Sequence, residues 1–283
     1  MKRVAQTGGQ ARTTALKRLS IHGVLGAGAV LILVPFLWAL LTSLKTSTEA
    51  VAIPMTFLPA KYQWRNYTQV LDLLPFARYY WNTVSTTIVK TAFALLFCSM
   101  AAYAFARIRF PGRTVLFLVM LSVLMVPAQV FIIPQYLLMK DLGWLNSLKA
   151  ITVTGMFSAY GTFLLRQFFL TLPAELEEAA KIDGCRPFMI YWRIMLPLAK
   201  PGLTAFAIIS TLWSWNDFMW PLIVNNSPDK MTLAVGLASL QGQYMTNYPL
   251  LMAGMLLAVL PMIALFIWLQ QQFIEGITLT GLK

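Results

Sequence analysis

The chain has 283 residues, 58% of them apolar and only 11% charged, with a formal net charge of +12. An ordinary soluble domain carries roughly 25% charged residues, so a single water-soluble core is excluded. Two widely separated cysteines, Cys98 and Cys185, and one histidine, His22, leave no disulfide scaffold, metal cluster or zinc triad to build.

A membrane-crossing helix needs ~20 mostly apolar residues. Windows at about 23–44, 81–106, 114–138, 148–170, 202–224 and 249–269 satisfy that requirement. They predict an all-α membrane protein with a 1–22 arm, a six-helix domain over 23–269 and a 270–283 tail. The arm is rich in Gln, Thr and Gly with five basic residues, and reads as a disordered tail at the lipid surface. The first window follows Lys17 and Arg18 as a signal peptide would. It is too long for a signal core, holds Pro35 and Trp38 and has no A-x-A-like cleavage site, so it reads as an anchor.

With six crossings both termini share a side. Fourteen Lys/Arg residues fall on that side, in the arm, at Arg107, Arg109 and Arg113, along 166–200 and at Lys283, against seven on the other. The positive-inside rule therefore makes the termini and the 171–201 loop cytoplasmic. The basic balance reads as topology, and a nucleic-acid surface is disfavoured because no basic stripe with interleaved aromatics lies outside the spans.

In the second span Asn82, Thr86 and Lys90 recur every four residues as one polar stripe. Lys90 lies seventeen residues above Arg107, roughly 25 Å at about 1.5 Å per residue, where snorkelling to outer water is the favoured reading over a place on a solute path. The third span holds Ser122, Pro127, Gln129 and Pro134 and predicts a kinked helix with polar atoms to satisfy.

The 171–201 loop is the one long cytoplasmic segment with folding signals of its own. Pro173 and Glu175, Glu177 and Glu178 suit a helix start, and Asp183-Gly184 suits its end. Pro187 starts a second helix that Leu196-Pro197 ends. Two readings stand beside each other: a helix docked on a partner, or one lying on the membrane. Three Glu at its start oppose an anionic lipid surface. In the fifth span Asp217 sits among Trp213, Ser214, Trp215, Asn216 and Trp220, a set that suits sugar rings and hydroxyls but also an ordinary membrane interface.

Glu178-Ala179-Ala180, Asp183-Gly184, Ile194, Leu196-Pro197-Leu198 and Pro201 resemble the EAA-loop signature of ABC importer permease subunits. Ala101–Arg107 with Phe110-Pro111-Gly112, Trp215-Asn216-Asp217 and Glu275-Gly276-Ile277-Thr278 are similar to the carbohydrate-uptake branch, which includes the maltose-transporter permeases. Cys185, where relatives often carry Ala, and the tail ending at Lys283 depart from the pattern.

The resemblance implies a type I ABC importer permease fold in the bacterial inner membrane. It implies a role as transport subunit, not enzyme, for a sugar or sugar-like polar solute. Implied partners are a second permease, an ABC ATPase dimer and an extracytoplasmic binding protein. Glu177, Glu178, Ala179, Ala180, Asp183, Gly184, Ile194, Leu196 and Pro197 would couple to the ATPase, and Glu275, Gly276 and Thr278 would face it. Asn82, Thr86, Gln129, Trp215, Asn216 and Asp217 are the candidates for the path. This chain would bind no metal or cofactor; ATP and Mg would sit on the ATPase, consistent with the absence of a G-x-x-x-x-G-K-[ST] run. Related permeases carry saccharides, polyols and glycerol phosphates, so the solute stays open among these. A stand-alone ion-coupled transporter predicts ionisable pairs deep in the spans, whereas Lys90 and Asp217 lie in outer halves. An intramembrane enzyme predicts a convergent catalytic set that these residues do not supply.

Overall fold

The computed structural model describes residues 5–242 and 246–281, with side chains described over 20–242 and 246–268. Among the described residues the regular structure is helical, apart from an isolated Gln241–Thr246 bridge. The chain divides into two compact units, residues 1–72 with 240–257, and residues 73–239 with 258–283.

In the first unit α1 spans Ala5–Ser43, so most of the arm expected to be disordered is helical. Extending a helix from an apolar segment that is already helical avoids the cost of nucleation. The apolar flank of α1 stays exposed within the described chain, with Leu31 at 74%. Its end is pinned by Asn66, whose amide donates to the carbonyls of Ser43 and Lys45 at 2.7 and 2.9 Å. A capping box between Thr46 and Glu49 starts the short α2 (Ser47–Ala50), and α3 covers Arg65–Leu73.

The second unit is organised on α4 (Phe76–Arg107). Ala94, Cys98, Ala102 and Ala106 recur every four residues along it and all are buried. This stripe of small side chains lets neighbouring helices approach closely. Following α4 are α5 (Arg113–Ser122), α6 (Ile132–Asp141), α7 (Leu148–Val153) and α8 (Ala159–Thr171). Then come α9 (Glu175–Ile182), α10 (Pro187–Ile190), a π-helical turn over Tyr191–Met195, α11 (Leu196–Leu198) and α12 (Lys200–Trp215). The unit closes with α13 (Met219–Val224) and α14 (Leu233–Ala238). Both α8 and α12 pack along α4. A Cβ at Gly161 would lie 2.1 Å from the Phe206 ring, so only glycine lets that ring seat against α8. The long α15 (Tyr248–Gly281) belongs to both units.

Three of the six expected spans are unbroken helices: Ser20–Ser43, Phe76–Arg107 and Tyr248–Trp268 are long and apolar enough to cross a membrane. The other three windows are interrupted. The third bends by 99° between Met125 and Ala128, because Pro127 offers no N–H and holds Val126 extended at φ −93°, ψ 127°. The fourth is split between α7 and α8, each started by a serine cap, Ser147 on Ala150 and Ser158 on Gly161. The fifth is helical only to Trp215, leaving Asn216 and Asp217 in a break before α13. At its other end α12 meets the Pro187–Leu198 helix at 78°.

Candidate functional site

Two features of the second unit bring the sequence candidates together. The first is the helical turn at α9. Glu175, Glu177 and Glu178 occupy its first turn, where carboxylates complement the helix dipole. At its end Gly184 takes φ +77°. The Cys185 amide donates to Ala180 at 2.9 Å and the Gly184 amide to Lys181 at 3.0 Å, the two bonds of a Schellman closure. Gly184 is needed because an L side chain is strained in that conformation.

The helix has two distinct faces. Glu177 and Ala180 are buried, and Glu177 pairs with Lys181 at 3.0 Å. Ala180 belongs to the same buried cluster as Tyr103, Phe169, Ile190, Tyr191 and Met195. Of the two alanines expected to couple to the ATPase, Ala179 faces out and Ala180 faces in. Glu178, Asp183 and Gly184 are exposed, beside Ile182 at 87% and Phe188 at 63% exposure. Ile194 and Leu196 pack against the cluster, while Pro197 stays exposed. The second helix does not stop at Leu196-Pro197 but runs to Leu198. The π turn before Pro197 relieves the clash its ring would make in a regular helix.

Arg107, counted in the sequence as a topological charge and as the end of the Ala101–Arg107 stretch, clamps α8. Its guanidinium donates to the Phe169 carbonyl at 2.6 and 3.0 Å and to that of Leu172. Arg166 answers from α8 by donating to the Phe105 carbonyl at 3.1 Å and lying 4.3 Å from the Phe117 ring centre. A cavity of about 600 Å³ opens between this clamp and α9, lined by Arg107, Arg113, Glu177, Glu178 and Lys181 among others.

The second feature is a half-open cavity of about 410 Å³. Lys90 does not snorkel: it is buried, and its ammonium lies 2.8 Å from an Asp217 carboxylate oxygen. Burial makes such a partner obligatory. The aliphatic stem of Lys90 lies over Gly155, where a Cβ would come within 2.9 Å of it. Thr154, Ser158, Ser210, Ser214 and Trp213 also line this cavity.

The remaining path candidates lie elsewhere. The Asn82 amide donates to the carbonyls of Asp229 and Met231 at 2.9 and 2.8 Å, and Thr86 donates to Asn82 at 2.7 Å. Thr83 beside them accepts from the Leu233 amide at 2.8 Å. Asn82 and Thr83 thus fix the 229–233 segment. Gln129 is exposed in a 3₁₀ turn. Trp215 packs 6.4 Å from the Tyr80 ring, and the exposed Asn216 donates to Leu212 at 2.9 Å. The side chains of Glu275 and Thr278, like the tail contact expected of Glu275, Gly276 and Thr278, lie outside the described residues.

Residues 94–278 match the family model described as "Binding-protein-dependent transport system inner membrane component". The chain is 39% identical to the arabinooligosaccharides transport system permease protein AraQ of Halalkalibacterium halodurans, over 88% of this chain and 90% of that one. It is 32% identical to the sn-glycerol-3-phosphate transport system permease protein UgpE of Yersinia enterocolitica, over 90% and 94%. It is 33% identical to the lactose transport system permease protein LacG of Rhizobium radiobacter, over 90% and 93%. Among solved structures, a chain of a bacterial ABC transporter involved in the import of alginate superposes with a TM-score of 0.80 at 24% identity, covering 93% of this chain and 98% of that one. That likeness shows the fold.

Proposed function

Because the chain belongs to the family of inner membrane components of binding-protein-dependent transport systems, we propose that it is one of two permease subunits lining the path of an ATP-driven importer for a sugar or sugar-like polar solute. Its partners are a second permease, a binding protein outside and an ATPase dimer inside that carries ATP and Mg. The broken windows serve as crossings too, giving six spans with both termini cytoplasmic, which the Lys/Arg balance supports.

The observation that carries this reading is the two-faced turn at α9. Its outer face offers Glu178, Ala179, Ile182 and Phe188 to a partner, while Ala180 on the inner face shares a buried cluster with α4, α8 and α12. Displacing the outer face therefore displaces the spans, because a close-packed cluster transmits movement. ATP-driven closure of the ATPase dimer moves the turn so that the path opens outward, and hydrolysis resets it. The 410 Å³ cavity holding Lys90 and Asp217 lies on that path, since buried polar groups between membrane helices mark solute routes.

Glu178→Lys tests the docking. The variant inserts normally but no longer co-purifies with the ATPase, and solute uptake is lost. Full co-purification with unchanged uptake overturns the docking role.

A further inference from the structure

The names of the relatives do not fix the charge of the solute, because sugars and a glycerol phosphate both stand among them. The half-open cavity beside Lys90 and Asp217 addresses that question. Its charged lining among the described residues consists of Lys90 and Asp217 alone, one of each sign. Their 2.8 Å separation commits the ammonium to the carboxylate. The two are unequally presented: the Lys90 side chain is 7% exposed and that of Asp217 26%. An anion entering this space would meet the carboxylate first, with the balancing cation already used. A hydroxyl meets both partners it needs, an oxygen that accepts and an ammonium that donates. Thr154, Ser210 and Ser214 add hydroxyls to the wall, and the exposed indole of Trp213 adds an apolar face for sugar C–H groups.

Gly155 leaves room for the lysine stem. Lys90 rises from α4 and must lay its stem across the α7–α8 break to reach Asp217, and a side chain at 155 would occupy that lane. The pair thus joins three separate elements, α4, the break after α7 and the break after α12, around one cavity.

We propose that Lys90 and Asp217 form a charge-neutral solute-contact site that admits uncharged polyhydroxylated solutes and disfavours anions. This rests on the cavity lying on the solute path, and the experiment separates the two claims.

Thr154→Cys places a thiol in the cavity wall of the assembled importer in proteoliposomes. Labelling of this chain is followed by mass with three methanethiosulfonates, the anionic sulfonatoethyl, the cationic trimethylammonioethyl and the neutral hydroxyethyl reagents. Rates are taken without ATP and in the vanadate-trapped state, normalised to those on glutathione, and corrected for the chain lacking the added cysteine. With the pair intact, the anionic reagent reacts no faster than the neutral one. Asp217→Asn leaves Lys90 uncompensated and raises the anionic-to-neutral ratio about tenfold, as expected for a nearby unpaired charge in a partly buried site. Lys90→Gln lowers the ratio, and the double variant, which keeps the shapes without the charges, returns it near the starting value.

A thiol that no reagent reaches in either state removes the cavity from the aqueous path, overturning the path reading and this proposal with it. A thiol that reacts but shows an anionic preference in the unaltered chain, or a ratio unmoved by Asp217→Asn, overturns the charge-neutral site and leaves the path reading standing.

Discussion

Two ion pairs of the second unit show how differently the same chemistry acts in two settings. Lys181 and Glu177 lie four residues apart on one helix, with the glutamate buried but the lysine side chain 55% exposed. Lys90 and Asp217 lie 127 residues apart, with both side chains largely withdrawn from water. A helical i,i+4 pair whose cation stays in water contributes about 0.3–0.5 kcal/mol, whereas removing one partner of a pair withdrawn from water on both sides strands a charge at about 3–5 kcal/mol. The first pair trims a turn whose outer face is exposed. The second ties α4 to the break after α12 and determines what the cavity between them can hold. Position in the fold, more than the identity of the charges, assigns each its role.

The largest expected effect breaks the buried pair. Lys90→Met lowers stability of the purified importer by about 3 kcal/mol in thermal unfolding, and Lys90→Met with Asp217→Leu recovers most of that loss. A single variant as stable as the unaltered chain would place the pair in water. Next comes Gly161→Ala, whose added methyl meets the Phe206 ring and costs about 1–3 kcal/mol. Adding Phe206→Leu restores part of the loss, which distinguishes overpacking from helix propensity.

At the exposed turn, Gly184→Val costs about 1 kcal/mol because its φ of +77° strains any L side chain. Its effect on ATPase co-purification exceeds its effect on Tm if, as proposed, the ATPase docks on this turn. The smallest effect is Lys181→Ala, about 0.5 kcal/mol or less in thermal unfolding, with co-purification retained. A loss there as large as that of Lys90→Met would erase the contrast between the two pairs.

The turn at α9 was legible because its instructions are local. Pro173, the Glu-rich first turn, Gly184 and Pro187 each act within a few residues, and α9 starts and stops and α10 starts where they predict. The inward rotation of Ala180 was not legible, because it depends on a cluster built from α4, α8 and the π turn. The Lys90–Asp217 pair was half legible: similar heights in two spans followed from residue counting, but pairing needs α4 and α12 to be neighbours, which periodicity does not supply. Asn82 drew notice as a polar residue in a span, yet its partners are carbonyls near residue 230 that no local pattern connects to it. Pro127 signalled a kink in a continuous span, but the 99° angle between the two halves is far sharper than a kink within one helix. Small residues at 94, 98, 102 and 106 were a helix–helix signal that the apolar run concealed.

The most direct test is photocrosslinking from the outer face of the turn. With a benzoylphenylalanine at Ile182, 87% exposed beside Glu178, native membranes should yield an adduct between this chain and an ATPase carrying a phosphate-binding loop, reduced by Glu178→Lys. Adducts with lipid alone, unaffected by Glu178→Lys, would make the turn a membrane-surface helix and contradict its role as the contact through which ATP drives transport.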